Sequence, residues 1–326
     1  MTDRTPPAPA TPARRGRAAG WVLAVAAIYL AALWYLDRDR NILSRLLDLA
    51  APLAACSLLV LASYIARYQR WRQVLGTLGH PLHGWAPGLL AYLAGFAFTA
   101  SPGKAGELLR IRYFNWQGIP PATTLTAFIF ERALDLLVIT AMAVGAAALV
   151  PVFGMLAAII LGILLALAAM GCLPVLARGT HRAIEHLPGL PVRRLAHFLV
   201  GGASALGPLL RPRVLAPGTL LGLLAWLLTA LAFTLLCHAQ GITLAWPLAL
   251  GIYPLAMLVG ALSFVPGGVG TTEAAIVLML AASGVPTDTA LAVAIGIRLA
   301  SLWLAVLVGM FSAALLELRF RPRHAP

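Results

Sequence analysis

Acidic residues are scarce in this chain: 11 Asp and Glu stand against 24 Lys and Arg, and charged residues of either sign make up only 11% of 326 positions. Soluble domains carry about 25% charge. That shortage excludes a soluble globular enzyme and, with 61% hydrophobic residues, leaves an integral membrane protein. Long polar stretches are missing too. The longest, 177–213, has 37 residues mixed with Leu, Pro and Gly, too few for a separate soluble catalytic domain.

Cysteine is nearly absent. Cys56, Cys172 and Cys237 sit inside apolar runs without metal spacing and read as small buried hydrophobes, neither disulfides nor ligands. His80 with His83, and His181 with His186, lack metal spacing and read as loop or interfacial residues. No Ser-His-acid grouping, metal box, phosphate-transfer motif or Walker-type loop occurs, so the chain does not power transport by ATP hydrolysis. We expect no cofactor and no metal site. A net charge of +13 would suggest nucleic acid in a soluble protein. In a membrane protein it marks basic loops lying against anionic lipid headgroups, and no nucleic-acid partner is expected.

What is present is apolar sequence in blocks of spanning length, near the ~20 residues a membrane helix needs. They cover roughly 20–36, 48–66, 121–150, 152–176, 214–237 and 287–317. Residues 1–19, rich in Pro, Ala and Arg, read as a disordered cytoplasmic tail. Asp37-Arg38-Asp39-Arg40 follows the first block where a cleavage site would stand, so that block reads as an uncleaved membrane helix. Two further regions, 85–117 and 243–283, are apolar but broken by Pro-Gly motifs. Lys104, Glu107, Arg110 and Arg112 keep 103–117 away from lipid. Both regions read as hairpins, fully spanning or re-entrant, that enter and leave on the same side.

Counting Lys and Arg on that topology puts 19 of the 24 on the cytoplasmic side, among them Arg67, Arg70, Arg72, Arg110 and Arg112. Arg38, Arg40 and Arg45 fall outside; Arg132 and Arg298 fall within helices. The bias predicts a multi-pass protein of the cell (inner) membrane with both termini cytoplasmic. Tyr64, Tyr68, Trp71 and Trp85, interleaved with Arg67, Arg70 and Arg72, read as an interfacial belt. Residues 192–210, with Arg193, Arg194 and His197 among Leu195, Phe198 and Leu199, read as a helix on the cytoplasmic surface.

The broken regions are duplicated. Gly118-Ile119-Pro120 followed by Glu131-Arg132 recurs as Gly284-Val285-Pro286 followed by Ile297-Arg298, at an offset of 166 for both the glycines and the arginines. Ahead of each copy stands a Pro-Gly-x-x-Gly motif with an acid behind it. The first is Pro102-Gly103-Lys104-Ala105-Gly106-Glu107, the second Pro266-Gly267-Gly268-Val269-Gly270 and then Glu273. With 121–150 and 287–317 crossing in opposite directions, the sequence predicts an inverted repeat. Repeat one covers about 85–150 and repeat two about 243–317, as in transporter folds where broken helices meet near the bilayer midplane.

Ser101-Pro-Gly-Lys-Ala-Gly-Glu-Leu-Leu-Arg110, Glu131-Arg132-Ala-Leu-Asp135 and Val265-Pro-Gly-Gly-Val-Gly-Thr-Thr-Glu273 together resemble the lysylphosphatidylglycerol synthase transmembrane (flippase-like) family. The resemblance covers about residues 20–318. In two-domain members it implies a membrane part that moves an aminoacylated phospholipid between leaflets, and a C-terminal cytoplasmic domain that makes it. The present sequence ends eight residues after Leu318, so we expect a stand-alone membrane domain without synthase activity. Stand-alone members are linked to lipid, hopanoid or polyprenyl-linked glycan pathways.

Charges inside membrane helices need partners or a wet cavity. Arg132 and Asp135 are three apart on one helix face, and Glu131 and Asp135 four apart, so both acids are placed to meet cations such as Arg110. Arg298 has Ser301 where repeat one has Asp135, leaving Glu273 as its nearby acid. Two readings stand. In one, Arg132 and Arg298 hold a lipid phosphate, arginine donating two hydrogen bonds at once, with Glu107 and Glu273 as exchanging counter-ions and Arg298 the freer cation. In the other, the Glu–Arg pairs pin each hairpin to the helix that follows. Glu107 and Glu273 fall where first helical turns are expected, and there a carboxylate favours the helix dipole. In the first reading Lys104 would serve as an extra phosphate contact, in the first hairpin only.

The expected architecture is an all-α polytopic membrane protein of about six full transmembrane helices plus two glycine/proline-broken hairpins. A single domain covers 20–318, with a cytoplasmic loop at 177–213 and a tail at 319–326. The expected function is binding or translocation of an anionic or isoprenoid-type lipid, at a site lined by Glu107, Arg110, Arg132, Asp135, Glu273 and Arg298. The alternatives are a non-catalytic partner of lipid- or glycan-modifying enzymes and an intramembrane headgroup enzyme. Expected partners are membrane lipid as substrate or ligand, a second copy of the chain, or a lipid enzyme.

Overall fold

The computed structural model describes residues 49–186 and 189–319, with isolated positions between 20 and 35. The tails 1–19 and 320–326, most of the first span and Arg38, Arg40 and Arg45 lie outside the described residues, as do the side chains of 102–105. Among the described residues every regular element is helical. Five helices are long and apolar enough to cross a membrane: Ala50–Thr77, Pro121–Leu149, Phe153–Cys172, Pro212–Ala239 and Thr287–Arg319. This is an all-α polytopic membrane protein.

Helix α1 (Ala50–Thr77) runs past the apolar block expected at 48–66 and buries Tyr64, Arg67, Tyr68, Arg70 and Trp71. Those residues are core, not an interfacial belt, although Trp85 is exposed as a belt residue would be. Val60, Tyr64, Arg67, Trp71 and Val74 recur at three- and four-residue steps as a buried stripe. Tyr64 and Trp71 lie against Phe96, Tyr92 and Phe114 of the first hairpin, and α1 packs along α8 (Pro212–Ala239). Arg110 is likewise wholly buried. Removing Arg67, Arg70 and Arg110 from the nineteen loop cations leaves sixteen. Cys56 and Cys237 are buried as expected; Cys172, the last residue of α5 (Phe153–Cys172), is exposed.

The first hairpin enters through α2 (Trp85–Ala94) and a 3-10 turn at Gly95–Phe98. It returns through a 3-10 segment, Pro102–Leu109, and α3 (Arg110–Trp116). Gln117 Nε2 donates to Pro87 O at 3.3 Å, tying its two outer ends together. The second hairpin enters through α9 (Trp246–Leu262), turns at Pro266–Gly268, and returns through α10 (Thr271–Ala282). Gly267 and Gly268 have φ of 63° and 64°, a left-handed backbone that only glycine adopts without strain. A Cβ on Gly267 would stand 3.1 Å from the Ala100 Cα, because the two hairpin tips meet there.

Both hairpins end alike. Ile119 N donates to Phe114 O and Val285 N to Leu280 O, each at 3.0 Å, over Gly118 and Gly284 at φ 81° and 84°. This is the helix-closing turn that glycine permits. Pro120 and Pro286 then lead into α4 (Pro121–Ala143, extended in 3-10 form to Leu149) and α11 (Thr287–Arg298). Helix α11 continues through a π turn at Leu299–Trp303 into α12 (Leu304–Arg319).

The packing is reciprocal. Helix α4, which follows the first hairpin, lies against α9 of the second, with Gly145 on the Pro247 carbonyl and Gly251 on Ala146. Helix α12, which follows the second hairpin, lies against α2 and Gly95–Phe98 of the first, with Gly309 on the Ala97 backbone. Gly309→Leu is therefore expected to lower the thermal midpoint in detergent through overpacking of ~1–3 kcal/mol. Gly154→Leu, whose Cβ position has nothing within 4 Å, should leave it unchanged.

Between the halves, α5 is largely exposed along its length. The segment expected as a loop at 177–213 holds α6 (Pro174–Glu185) and α7 (Leu190–Ser204), the latter ending short of the helix expected over 192–210. These two pair with each other, and His181 and His197 stack with their Nδ1 atoms 2.9 Å apart. Sequence spacing had joined His181 to His186 instead.

Candidate functional site

Glu131, Arg132 and Asp135 lie on one face of α4 and meet cations from two other elements. From α1, Arg67 Nη1 donates to Asp135 Oδ2 at 3.0 Å. Arg70 Nη2 reaches Asp135 Oδ1 at 2.8 Å and Glu131 Oε1 at 3.4 Å. From the start of α3, Arg110 Nη1 donates to Glu131 Oε2 at 2.7 Å and its Nη2 to Glu107 Oε2 at 3.0 Å. The Tyr92 hydroxyl donates to Glu131 Oε1, and Thr99 Oγ1 to Glu107 Oε1 at 2.8 Å.

Two guanidinium groups fit only because glycine faces them. A Cβ on Gly95 would come within 2.5 Å of Arg110 Nε, and one on Gly222 within 2.6 Å of Arg70 Nη1. Arg110 also lies over the Tyr92 ring at 4.2 Å and the Trp71 ring at 5.0 Å, faces that attract a desolvated cation.

The structure thus joins Glu107, Arg110, Arg132 and Asp135 in one network and adds Arg67, Arg70, Glu131, Tyr92 and Thr99. Arg67 and Arg70 were missed because charge counting treats each cation as a loop residue. Their place on the apolar stripe of α1 was the available signal. Glu107 is not in a first helical turn; it lies within Pro102–Leu109, ahead of α3. Glu273 is where expected, at the third position of α10, its Oε2 accepting from Gly270 N at 2.8 Å. Among the motif residues, Pro102 and Gly103 open the first tip and Gly106 N donates to Ser101 Oγ at 2.6 Å. Pro266, Gly267 and Gly268 make the second tip, and Gly270, at φ 82°, caps α10.

Arg298 is not the freer cation. Its Nε donates to Glu273 Oε1 at 2.9 Å, its Nη2 to the Gly267 carbonyl, and its Nη1 faces Met257 Sδ at 3.8 Å; the side chain is 1% exposed. The absent local acid is replaced by the tip carbonyl of its own hairpin. Arg132, 21% exposed, is the more open of the two. Its Nη2 lies 2.9 Å from Asp135 Oδ2, 3.6 Å from Glu131 Oε2 and 4.0 Å from Glu107 Oε2. Its Nε has no hydrogen-bond partner among the described residues.

Two cavities flank Arg132 where the hairpin tips meet. One, of about 80 Å³, is the more polar of the two, with Arg67, Thr99, Glu107, Arg298 and Ser301 set among apolar walls such as Val60, Phe96 and Leu302. The other, of about 240 Å³, is mainly apolar, with Leu136, Ile139, Leu262 and Val265 among its walls. Arg132, Trp226, Met257 and Gly267 line both. The π turn borders the polar cavity. There Ser301 O accepts from the Tyr64 hydroxyl at 3.3 Å and Ser301 Oγ from the Tyr253 hydroxyl at 2.9 Å, a local unwinding of the kind common at functional sites.

The family model described as the lysylphosphatidylglycerol synthase TM region matches residues 20–309. The chain belongs to that family. Within it, the match extends over both broken hairpins, so the network at Arg132 and the clamp at Arg298 lie inside the family's own membrane region. A UPF0104 membrane protein of Methanothermobacter thermautotrophicus is 34% identical over 90 residues, 28% of this chain. The chain spans only 27% of the length of that curated relative. Membership of this lysylphosphatidylglycerol synthase-type membrane family points to a membrane lipid-related role.

Proposed function

We propose that the protein binds an amphiphilic lipid with its anionic headgroup against Arg132 and passes it between leaflets. The observation that carries this reading is the position of Arg132, a partly open guanidinium on the shared wall of a small cavity that charged side chains enter and a larger, mainly apolar one. A headgroup and a chain need adjoining compartments of those two kinds, and an arginine fork suits a phosphate between them. Glu107, Arg110, Asp135, Glu273 and Arg298 are assigned to hold that compartment rather than to strip the lipid from it.

We read the 166-residue offset as an inverted repeat, with the termini on the cytoplasmic side. The reading draws on the reciprocal docking of each hairpin on the other half's long helix and on the meeting of the two tips. Such a pair lets each half gate one face. The role is non-enzymatic and needs no cofactor.

Purified protein in liposomes, given short-chain fluorescent phospholipids and polyprenyl phosphates with quencher added outside, should dissipate leaflet protection. Arg132→Ala is expected to slow this at least ~10-fold, the loss of one charge-assisted bond of ~1.4 kcal/mol or more, with the thermal midpoint close to wild type. Slow, equal rates for both proteins with every lipid would overturn the reading and favour a non-catalytic partner of lipid-modifying enzymes.

A further inference from the structure

The buried network around Arg132 is charge-unbalanced. Arg67, Arg70, Arg110 and Arg132 contribute four positive charges; Glu107, Glu131 and Asp135 contribute three negative ones, each carboxylate accepting from at least one guanidinium. The neighbouring Arg298–Glu273 pair is balanced, as is Arg112–Glu317 farther out. Tyr64, Tyr92 and Tyr253 supply neutral phenols. Among the described residues, one positive charge is therefore left over in a largely buried site.

An uncompensated charge away from water is costly, and a ligand that cancels it regains that cost on binding. A ligand of charge minus two would replace one excess by another of opposite sign. A net-neutral headgroup would bring its own cation beside four arginines. Resting on the lipid reading above, we infer that the site is matched to a lipid whose headgroup is a monoanionic phosphodiester. Its phosphate lies against the exposed part of the Arg132 guanidinium, and its chains occupy the apolar cavity.

The excess sits on Arg132. Arg67, Arg70 and Arg110 are each at most 10% exposed and directed into the carboxylates, whereas Arg132 is 21% exposed and lines both cavities. The polar cavity is small, about 80 Å³, which suits a compact phosphate better than a bulky headgroup. The apolar cavity at about 240 Å³ is three times larger, which makes a lipid, not free phosphodiester, the source.

Thermal-shift titration of the whole chain in neutral detergent tests this, since a ligand raises the midpoint according to its affinity. The probes are dihexanoyl phosphatidylglycerol, dihexanoyl phosphatidylcholine, dihexanoyl phosphatidate and dimethyl phosphate. Titrations run above pH ~8, where a phosphomonoester with a second pKa of about 6 is a dianion. Phosphatidylglycerol should bind at least ~10-fold more tightly than the other two lipids, with dimethyl phosphate weaker still. In Glu107→Gln the excess rises from one charge to two, and the preference should move to phosphatidate. A flat ranking of the three lipids overturns the charge match while leaving lipid binding intact. Dimethyl phosphate binding as tightly as phosphatidylglycerol overturns the lipid source. Should Glu107→Gln fail to fold, the wild-type ranking decides alone.

Discussion

Asp135→Ala is expected to leave the protein unable to reach a folded, monodisperse state in mild detergent. Asp135 is the point on which Arg67, Arg70 and Arg132 converge, at 3.0, 2.8 and 2.9 Å. Removing it strands three cations around Glu131, of which Arg70 is 1% exposed and already has Nε and Nη1 without hydrogen-bond partners. Breaking one buried pair costs ~3–5 kcal/mol, and whole proteins are stable by only about 5–15 kcal/mol. Size-exclusion profile and thermal midpoint measure the effect, with exposed Glu185→Ala as the neutral comparison. An Asp135→Ala protein as stable as Glu185→Ala would mean that the network is not what holds α1 to α4.

The second large effect separates the two repeat arginines. Arg298→Ala removes the only guanidinium paired with Glu273 among the described residues and releases the Gly267 carbonyl at the second tip. The expected loss is again ~3–5 kcal/mol, because the carboxylate stays buried without its cation. Glu273→Gln together with Arg298→Met should recover more than half of it, as deleting both charges leaves nothing uncompensated. A double-mutant cycle on thermal midpoints reads the coupling. Arg132→Ala should show the opposite profile, little change in stability and a large loss of translocation. If Arg298→Ala instead stays fully stable while losing translocation, Arg298 returns to the substrate path.

Much of the architecture was visible in the sequence because Pro-Gly breaks and apolar length are local signals. Both hairpins, their paired Gly-x-Pro endings and the spans from 121 onward fall where those signals put them. The site was only partly visible. Arg132 with Asp135, and Arg298 with Glu273, could be paired because one helix turn or one repeat motif joins them. Arg67 and Arg70 could not, since their acids lie more than 60 residues away on another helix, and a cation near the end of an apolar run looks like a loop cation until that partner is known. Arg298 differs from its sequence expectation for a related reason: spacing points only to side chains as its partners, whereas a backbone carbonyl at a glycine-rich tip takes the role. Glu107 was misplaced because its segment continues in 3-10 form where an α-helical turn was expected.

The reciprocal docking of the hairpins bears on how the chain is made. The first hairpin is fully synthesised at Trp116, yet the helix that closes over it, through Gly309 on the Ala97 backbone, begins at Leu304. Chains grow at about 5–20 residues per second, so the intervening stretch takes roughly ten to forty seconds. Throughout that time a nascent hairpin bearing Glu107 and Arg110 sits beside the membrane without its final cover. The halves are thus one folding unit rather than two modules joined by a linker, and whatever shelters the unfinished first half during insertion must hold it until the last helix emerges.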